Sequence, residues 1–302
     1  MNKKQLRFNR PAEYVENPTP RNIMLGLTNT CNHRCVFCPH EKLKRKTAVL
    51  DPDLISRVIT QAYDLGVREI GLYLDDEPFM SKHLEDSAKL AKSAGYEYIY
   101  CTTNGSLATP ERVSRLYENG LDSIKFSVNA GDRDTYAKTH GHDHFDTVIS
   151  NIKAADRLRK ESGKNVGLFL SFVEYSQNAG QLSILKILLG DSIDEYHTLT
   201  ASDVYFDENE SAKMGMKKYV YEKCDMLFNR IHVTGEGLVS ACCGDFSLKL
   251  IMGDLRERPL KDIWFGEAFR RLRRWHLEGD IPRDCECYKC FDYSKKESQN
   301  DF

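Results

Sequence analysis

Strand-like and helix-like segments alternate along the first two thirds of the chain, and few folds accept that order. "NIMLGL" (22–27) reads as a buried strand. "DPDLISRVITQAYDLG" (51–66) reads as a helix, with Asp51 as N-cap and proline next. Leu54, Val58, Ile59 and Tyr63 fall near helical spacing before a stop at Gly66. "EIGLYL" (69–74), "YEYIYCT" (96–102), "DSIKFSV" (122–128), "VGLFLSFV" (166–173) and "EYHTLT" (195–200) read as further strands. The segments between them, such as "TPERVSRLYENG" (109–120) and "HFDTVISNIKAADRLRKESG" (144–163), read as helices. Six such units over about 180 residues predict an α/β fold, a parallel sheet with helices outside. Six are too few for a closed eight-stranded barrel, so the expectation is an open, partial (β/α)6 barrel over 21–205. Such folds carry their chemistry at the C-terminal ends of the strands.

A polar stretch follows, and a linker is expected over 206–220. Residues 221–292 are rich in cysteine and turns and predict a small C-terminal domain. Within it, "RIHVTGEGLVSACCGD" reads as a β-hairpin turning at 234–237, and "LKDIWFGEAFRRLRRWHLEG" as helix. Residues 1–20 are expected to be an N-terminal extension and 293–302 a disordered tail. With 41% hydrophobic and 29% charged residues, the 302-residue chain has an ordinary soluble composition. Its net charge of −2 gives no footprint for nucleic acid. No apolar run approaches the roughly 18 residues of a membrane span. The polar start lacks a signal-peptide core, so a cytoplasmic location is expected. In a reducing compartment the ten cysteines point to metal or redox chemistry rather than disulfides.

Cys31, Cys35 and Cys38 lie together in "TNTCNHRCVFCPH" (28–40), just after the first strand. Zinc takes four ligands, so three thiols are incomplete unless His33 or His40 joins them. A four-iron cluster is also thiolate-held, and three cysteines leave one iron open. Cys31-x3-Cys35-x2-Cys38, with Phe37 before the last cysteine, resembles the radical S-adenosylmethionine (SAM) enzymes. The resemblance implies that SAM chelates the open iron and is cleaved by an electron from the cluster. The 5′-deoxyadenosyl radical so released abstracts hydrogen from a substrate. Four further turns fit the family in order. "YLDDEP" (73–78) stands where relatives have Gly-Gly-Glu-Pro, which implies a SAM contact for Glu77. Asp75 and Asp76 replace the two glycines, as a substrate contact or a solvated turn. "TTNG" (102–105) implies cofactor contacts for Thr103 and Asn104, and "FSVNAG" (126–131) for Ser127 and Asn129. "YAKTHG" (136–141) places His140 or Lys138 where relatives often have arginine near the SAM carboxylate.

The second cysteine group resembles the Twitch domain, a shortened SPASM extension. The resemblance implies a second four-iron cluster held by Cys224, Cys242, Cys287 and Cys290. Cys285 could replace Cys287, Cys243 is expected to face away, and lone Cys101 reads as a buried hydrophobe. A four-cysteine zinc ribbon is the alternative. The expected cofactors are therefore two [4Fe–4S] clusters and SAM. The layout is similar to that of the radical SAM dehydrogenases of aminoglycoside pathways, which implies oxidation of an alcohol in a sugar- or aminocyclitol-like small molecule. The auxiliary cluster would accept the substrate electron, and Asp75, Asp76 or His197 would accept the hydroxyl proton. Tyr73 and Asp203 are further contact candidates. An electron donor such as flavodoxin or ferredoxin is implied; nucleic acid and membrane partners are not. Peptide modification is the alternative, although about 20 residues before the first strand are too few for a peptide-binding domain, which a separate protein could supply. A non-catalytic metal protein would not need the Glu77-Pro78, "TTNG" and "FSVNAG" turns together.

Overall fold

The computed structural model describes residues 12–42, 45–201, 206, 208–216 and 224–290. Asp203, residues 217–220 of the expected linker and the tail 293–302 lie outside the described residues. Among those described, nine strands form one sheet in the order β6-β5-β4-β3-β2-β1-β7-β8-β9. The first six are β1 (Asn22–Leu25), β2 (Glu69–Gly71), β3 (Tyr98–Thr103), β4 (Ser123–Ser127), β5 (Gly167–Glu174) and β6 (Glu195–Thr200). All neighbouring pairs among them are parallel, and the sheet is not closed. This is the partial barrel that the alternation predicts.

The two faces of the strands differ in chemistry. Ile23, Leu25, Ile70, Ile99, Ile124, Phe126, Leu168 and Leu170 are fully buried and face the helices. Each such side chain contributes about 1.5–3 kcal/mol. The alternate residues face the barrel lumen. Helix α1 (Pro52–Asp64) starts as expected, with the Asp51 carboxylate accepting from Asp53 and Leu54 N–H. It buries Leu54, Ile55, Val58, Ile59 and Ala62 against the sheet. Helices α2 (Leu84–Ala94), α3 (Pro110–Glu118), α5 (Phe145–Ser162) and α6 (Gln181–Leu189) follow the expected pattern. Helix α4 (Arg133–His140) goes beyond it, capped by Asp132 on Thr135 N–H and ended by left-handed Gly141.

The expected hairpin, turning at 234–237, forms between the seventh and eighth strands, but it joins the barrel's sheet. Strand β7 (Arg230–Val233) pairs parallel with β1, with Met24 opposite His232. Strands β8 (Leu238–Ser240) and β9 (Ile251–Asp254) then continue the same sheet antiparallel. The cause is apolar: Ile231 and Val233 are fully buried and extend the row of Ile23 and Leu25. The turn sits on the cysteine loop, where a Cβ on Gly235 would lie 2.3 Å from the Thr28 carbonyl carbon. Only glycine allows that approach.

Helix α7 (Glu208–Met214) lies within the expected linker, and α8 (Asp225–Asn229) precedes β7. The single helix expected over 260–279 is two, α9 (Leu260–Trp264) and α10 (Glu267–Glu278), broken at extended Gly266. Arg273 of α10 is fully buried between the Trp264 and Phe269 rings. It donates to the carbonyls of Glu16, Leu227 and Trp264, which ties the described part of the N-terminal extension to the fold. No described helix is long and apolar enough to cross a membrane.

Candidate active site

Parallel pairing puts the C-terminal ends of β1 to β7 on one rim, and the three-cysteine loop lies there. Its backbone is held from three sides. Glu77 N–H donates to Thr30, Arg34 N–H to the His140 carbonyl, and Val36 N–H to Thr139. Cys31, Cys35 and Cys38 are free thiols. Burial pushes Cys31 up to about 12 and raises Cys35 and Cys38 as well. Such thiols ionise only if a cationic group enters among them. Four thiolates on one zinc ion stand roughly 3.8 Å apart, given Zn–S near 2.3 Å. Among the described residues neither cysteine set brings three sulfurs within 4.8 Å of one another. An all-thiol donor set is what iron–sulfur clusters take, and a loop of only three thiols is one short of a four-thiol zinc site. His40 Nε2 meets the Asn29 carbonyl at 3.1 Å and is not turned to the thiols.

Glu77 has a different place from the one expected. Its carboxylate accepts from the Thr103 hydroxyl at 2.7 Å, Asn104 N–H at 2.7 Å and Phe79 N–H at 3.1 Å. It staples the "TTNG" turn to its own turn. Burial pushes it up to about 6, and those three donors hold it back. Asn104 Nδ2 bonds Asn32 at 2.8 Å and lies 4.0 Å from Cys31 Sγ. Asn129 is also engaged: Oδ1 accepts from Val173 N–H at 2.6 Å, and Nδ2 turns to His140. Both side chains are thus engaged with neighbouring turns. Ser127 keeps a rim position, 3.0 Å from Ser171 Oγ, and half-buried Phe37 stands edge-on to Tyr175. His140 contacts Cys35 Sγ rather than open space at the rim.

Glu77→Ala is expected to cost about 2–4 kcal/mol, since a buried charged acceptor with three donors is lost. SAM cleavage should fall with it through misplacement of the turn. Thermal unfolding and 5′-deoxyadenosine formation measured together check this; unchanged unfolding with lost cleavage would return Glu77 to the SAM site.

Asp75 and Asp76 sit beside this staple. Asp75 pairs with Arg45, which also faces Glu236 of the hairpin turn at 3.6 Å. Burial raises Asp75, and the Arg45 guanidinium opposes it. Asp76 Oδ1 accepts from Leu74 N–H at 2.8 Å, while Oδ2 is shut off from water without a partner. Burial pushes Asp76 up to about 8. Arg45 and Glu236 also line a cleft of about 950 Å³ between residues 45–57 and the hairpin turn.

Below the rim, strand register lines the lumen with polar side chains. Tyr100 hydroxyl donates to Asn22, Asn22 to Glu69, and Tyr98 meets Ser123 at 2.7 Å. His197 is on this face, next to Glu195 at 3.4 Å and Phe169, but on outermost β6 and one third exposed. Arg230 and His232 of β7 face the same lumen, with Arg230 Nη1 3.8 Å from Met24 Sδ. His232 is fully buried and was not anticipated; only the pairing of β7 with β1 places it here.

Beside His232 begins the second thiol group. Cys242 lies among Cys224, Cys243 and Cys287, and Cys285 faces Cys287. Burial raises Cys224. Cys243 does not face away as expected: it packs beside His232 and Arg230, with Sγ 3.4 Å from Met226 Sδ. Cys101 is fully buried in the core, as read from its place in the third strand.

An open parallel barrel with a three-thiol loop at its rim and a second thiol group sharing its sheet defines a radical SAM enzyme. A model of the radical SAM superfamily matches residues 25–171, and one of the SPASM iron–sulfur cluster-binding domain matches 224–291. The chain belongs to the radical SAM superfamily, and its cofactors are SAM and two [4Fe–4S] clusters. Among curated relatives, a probable GTP 3′,8-cyclase of Saccharolobus solfataricus is 30% identical over 240 residues, 72% of this chain and 70% of the relative. That of Sulfurisphaera tokodaii is 29% identical over 62% of this chain and 58% of the relative. Among solved structures, BtrN in complex with AdoMet and 2-DOIA aligns with a TM-score of 0.57 at 22% identity, covering 86% of this chain and 88% of that one. Streptococcus suis SuiB bound to the precursor peptide SuiA gives 0.70 at 15%, over 91% and 71%. These structural likenesses show the fold.

Proposed function

We propose that the enzyme oxidises an alcohol of a polar, sugar- or aminocyclitol-like small molecule, with an auxiliary cluster taking the substrate electron. Cys31, Cys35 and Cys38 would hold the first cluster, and Cys224, Cys242, Cys287 and Cys290 the second. Residues 21–205 and 221–292 would be the two functional units. The first cluster with SAM supplies a 5′-deoxyadenosyl radical when reduced by a donor such as flavodoxin or ferredoxin. The lumen would hold the substrate by its hydroxyls through Asn22, Tyr100, Ser127 and Ser171. Asp76 is the first choice to take the hydroxyl proton, because its buried Oδ2 makes no close hydrogen bond. Asp75 is occupied by Arg45, and His197 is on the outer strand.

The observation that supports this most is shared strand β7. Its lumen residues Arg230 and His232 stand beside Cys243, next to Cys242. An electron leaving a substrate in the lumen would cross only this layer.

The relatives' printed activity, GTP cyclisation, is the second reading. A triphosphate carries several negative charges, and in the lumen and at its rim it would meet Glu69, Asp75, Asp76 and Glu195. Against these carboxylates stand Arg45, already paired with Asp75, together with Lys125 and Arg230. Hydroxyl- and amine-bearing substrates suit such a site better. Reduced enzyme should release a product two mass units lighter than its substrate, with one SAM consumed and deuterium from the reacting carbon in 5′-deoxyadenosine. A product of unchanged mass, cyclised from GTP or epimerised in a peptide, would overturn the dehydrogenase reading.

A further inference from the structure

We propose that His140 is a positioning residue that donates a hydrogen bond from Nδ1–H to Cys35 Sγ and so sets the reduction potential of the cluster held by Cys31, Cys35 and Cys38. Nδ1 lies 3.3 Å from that sulfur. The other nitrogen decides where the proton is. Nε2 is 3.1 Å from the backbone nitrogen of Asn129, a group that can only donate. The Asn129 side chain agrees. Its Oδ1 accepts from Val173 N–H, which turns Nδ2 toward Nε2 at 3.5 Å. Two donors aimed at Nε2 make it the acceptor, so the neutral ring carries its proton on Nδ1, facing the thiol.

The ring cannot swing away. It stacks on Tyr136 at 4.2 Å, and the end of α4 is tied to the cysteine loop by Arg34 N–H on the His140 carbonyl. His33, Cys35 and His140 do bring their ligand atoms within 4.8 Å, which invites a single-ion site. His140 has no lone pair left for it, since Nε2 is engaged and Nδ1 bears hydrogen.

An N–H donor draws electron density from a cluster sulfur. The bond strengthens when the cluster gains an electron, so it favours the reduced state. The carry-over from relatives would aim this position at the SAM carboxylate; the geometry points to the sulfur instead.

The test is a redox titration of the holoenzyme followed by electron paramagnetic resonance, with SAM added to mark the first cluster's signal. His140→Phe keeps the ring stacking and loses the donor. It should make reduction of the first cluster about tenfold less favourable, a fall of about 59 mV for one electron. The auxiliary cluster's potential should not move. His140→Gln, which can both donate to sulfur and accept from Asn129, should recover most of the shift. No shift in His140→Phe, an equal shift in both clusters, or a glutamine variant no better than phenylalanine would each overturn the proposal. Wild-type protein with histidine labelled at Nδ1 by nitrogen-15 should show weak nitrogen coupling to the reduced first cluster. Its absence overturns the proposal even if His140→Phe fails to hold iron.

Discussion

Alanine at Cys31, Cys35 and Cys38 together is expected to abolish 5′-deoxyadenosine formation while keeping about four of about eight irons per chain. The fold should survive, because the loop does not depend on its thiols. Leu50 N–H bonds Leu27 at 2.9 Å and Asn29 N–H bonds Ala48 at 3.2 Å. The Asn29 side chain adds bonds to Lys46 at 2.8 Å and Glu236 at 2.6 Å, which lock the loop to the hairpin turn. The reverse variant, Cys224→Ala with Cys242→Ala, should lose the other irons and still cleave SAM, since the first cluster's loop is anchored to α4 and the β2 turn. Iron and zinc analysis beside a chromatographic assay for 5′-deoxyadenosine distinguishes the outcomes. Zinc in the triple variant would make the second thiol group a structural ribbon. Residual cleavage at wild-type rate would remove the loop from the chemistry altogether.

The barrel was legible in the sequence because its signals are local. Asp51 and Pro52 start α1, and a glycine stops it two residues beyond Asp64. The three-cysteine spacing is likewise contained within one loop. What stayed hidden depends on distant pairing. Arg230 lies 206 residues from Met24, and nothing in "RIHV" says that, besides its hairpin with β8, it extends the row of "NIML". His232 reaches the lumen, and Cys243 its side, only through that pairing. His140 is 105 residues from Cys35, and its role follows from two hydrogen bonds, not from spacing. Its helix had readable ends, Asp132 and Gly141, but only eight residues between them. Glu77 shows what a motif match leaves unread. The residue and its turn match, yet its carboxylate is spent on Thr103, Asn104 and Phe79. Strand β9 is four residues with a glycine inside, too short for an alternation to show.

Asp76→Asn should move activity and stability in opposite directions. Burial, reinforced by Asp75 and Glu77, raises Asp76 from 3.8 to about 8, with Leu74 N–H holding it back. The folded chain thus holds a proton that the unfolded chain releases near 3.8, so this group's contribution to stability is full below pH 3.8 and is lost as pH rises toward about 8. At pH 7 the loss has an upper bound on the order of 4 kcal/mol. Asparagine is neutral at every pH. The cofactor-free variant should therefore unfold at a higher temperature than wild type at pH 8, with the gap closing below pH 4. If Asp76 takes the hydroxyl proton, it must be ionised to do so, and wild-type kcat/KM should rise with pH through about 8. The asparagine variant should be flat in pH and about 10²- to 10⁴-fold slower in product formation. SAM cleavage should continue in it, uncoupled from oxidation, because the cysteine loop and the Glu77 staple are untouched. Higher stability with unchanged product formation would leave Asp76 a buried spectator and pass the proton to His197, whose ring is on the lumen face beside Glu195. Lower stability would mean that the asparagine amide cannot accept from Leu74 N–H as the carboxylate does, and the raised pKa would no longer describe this site.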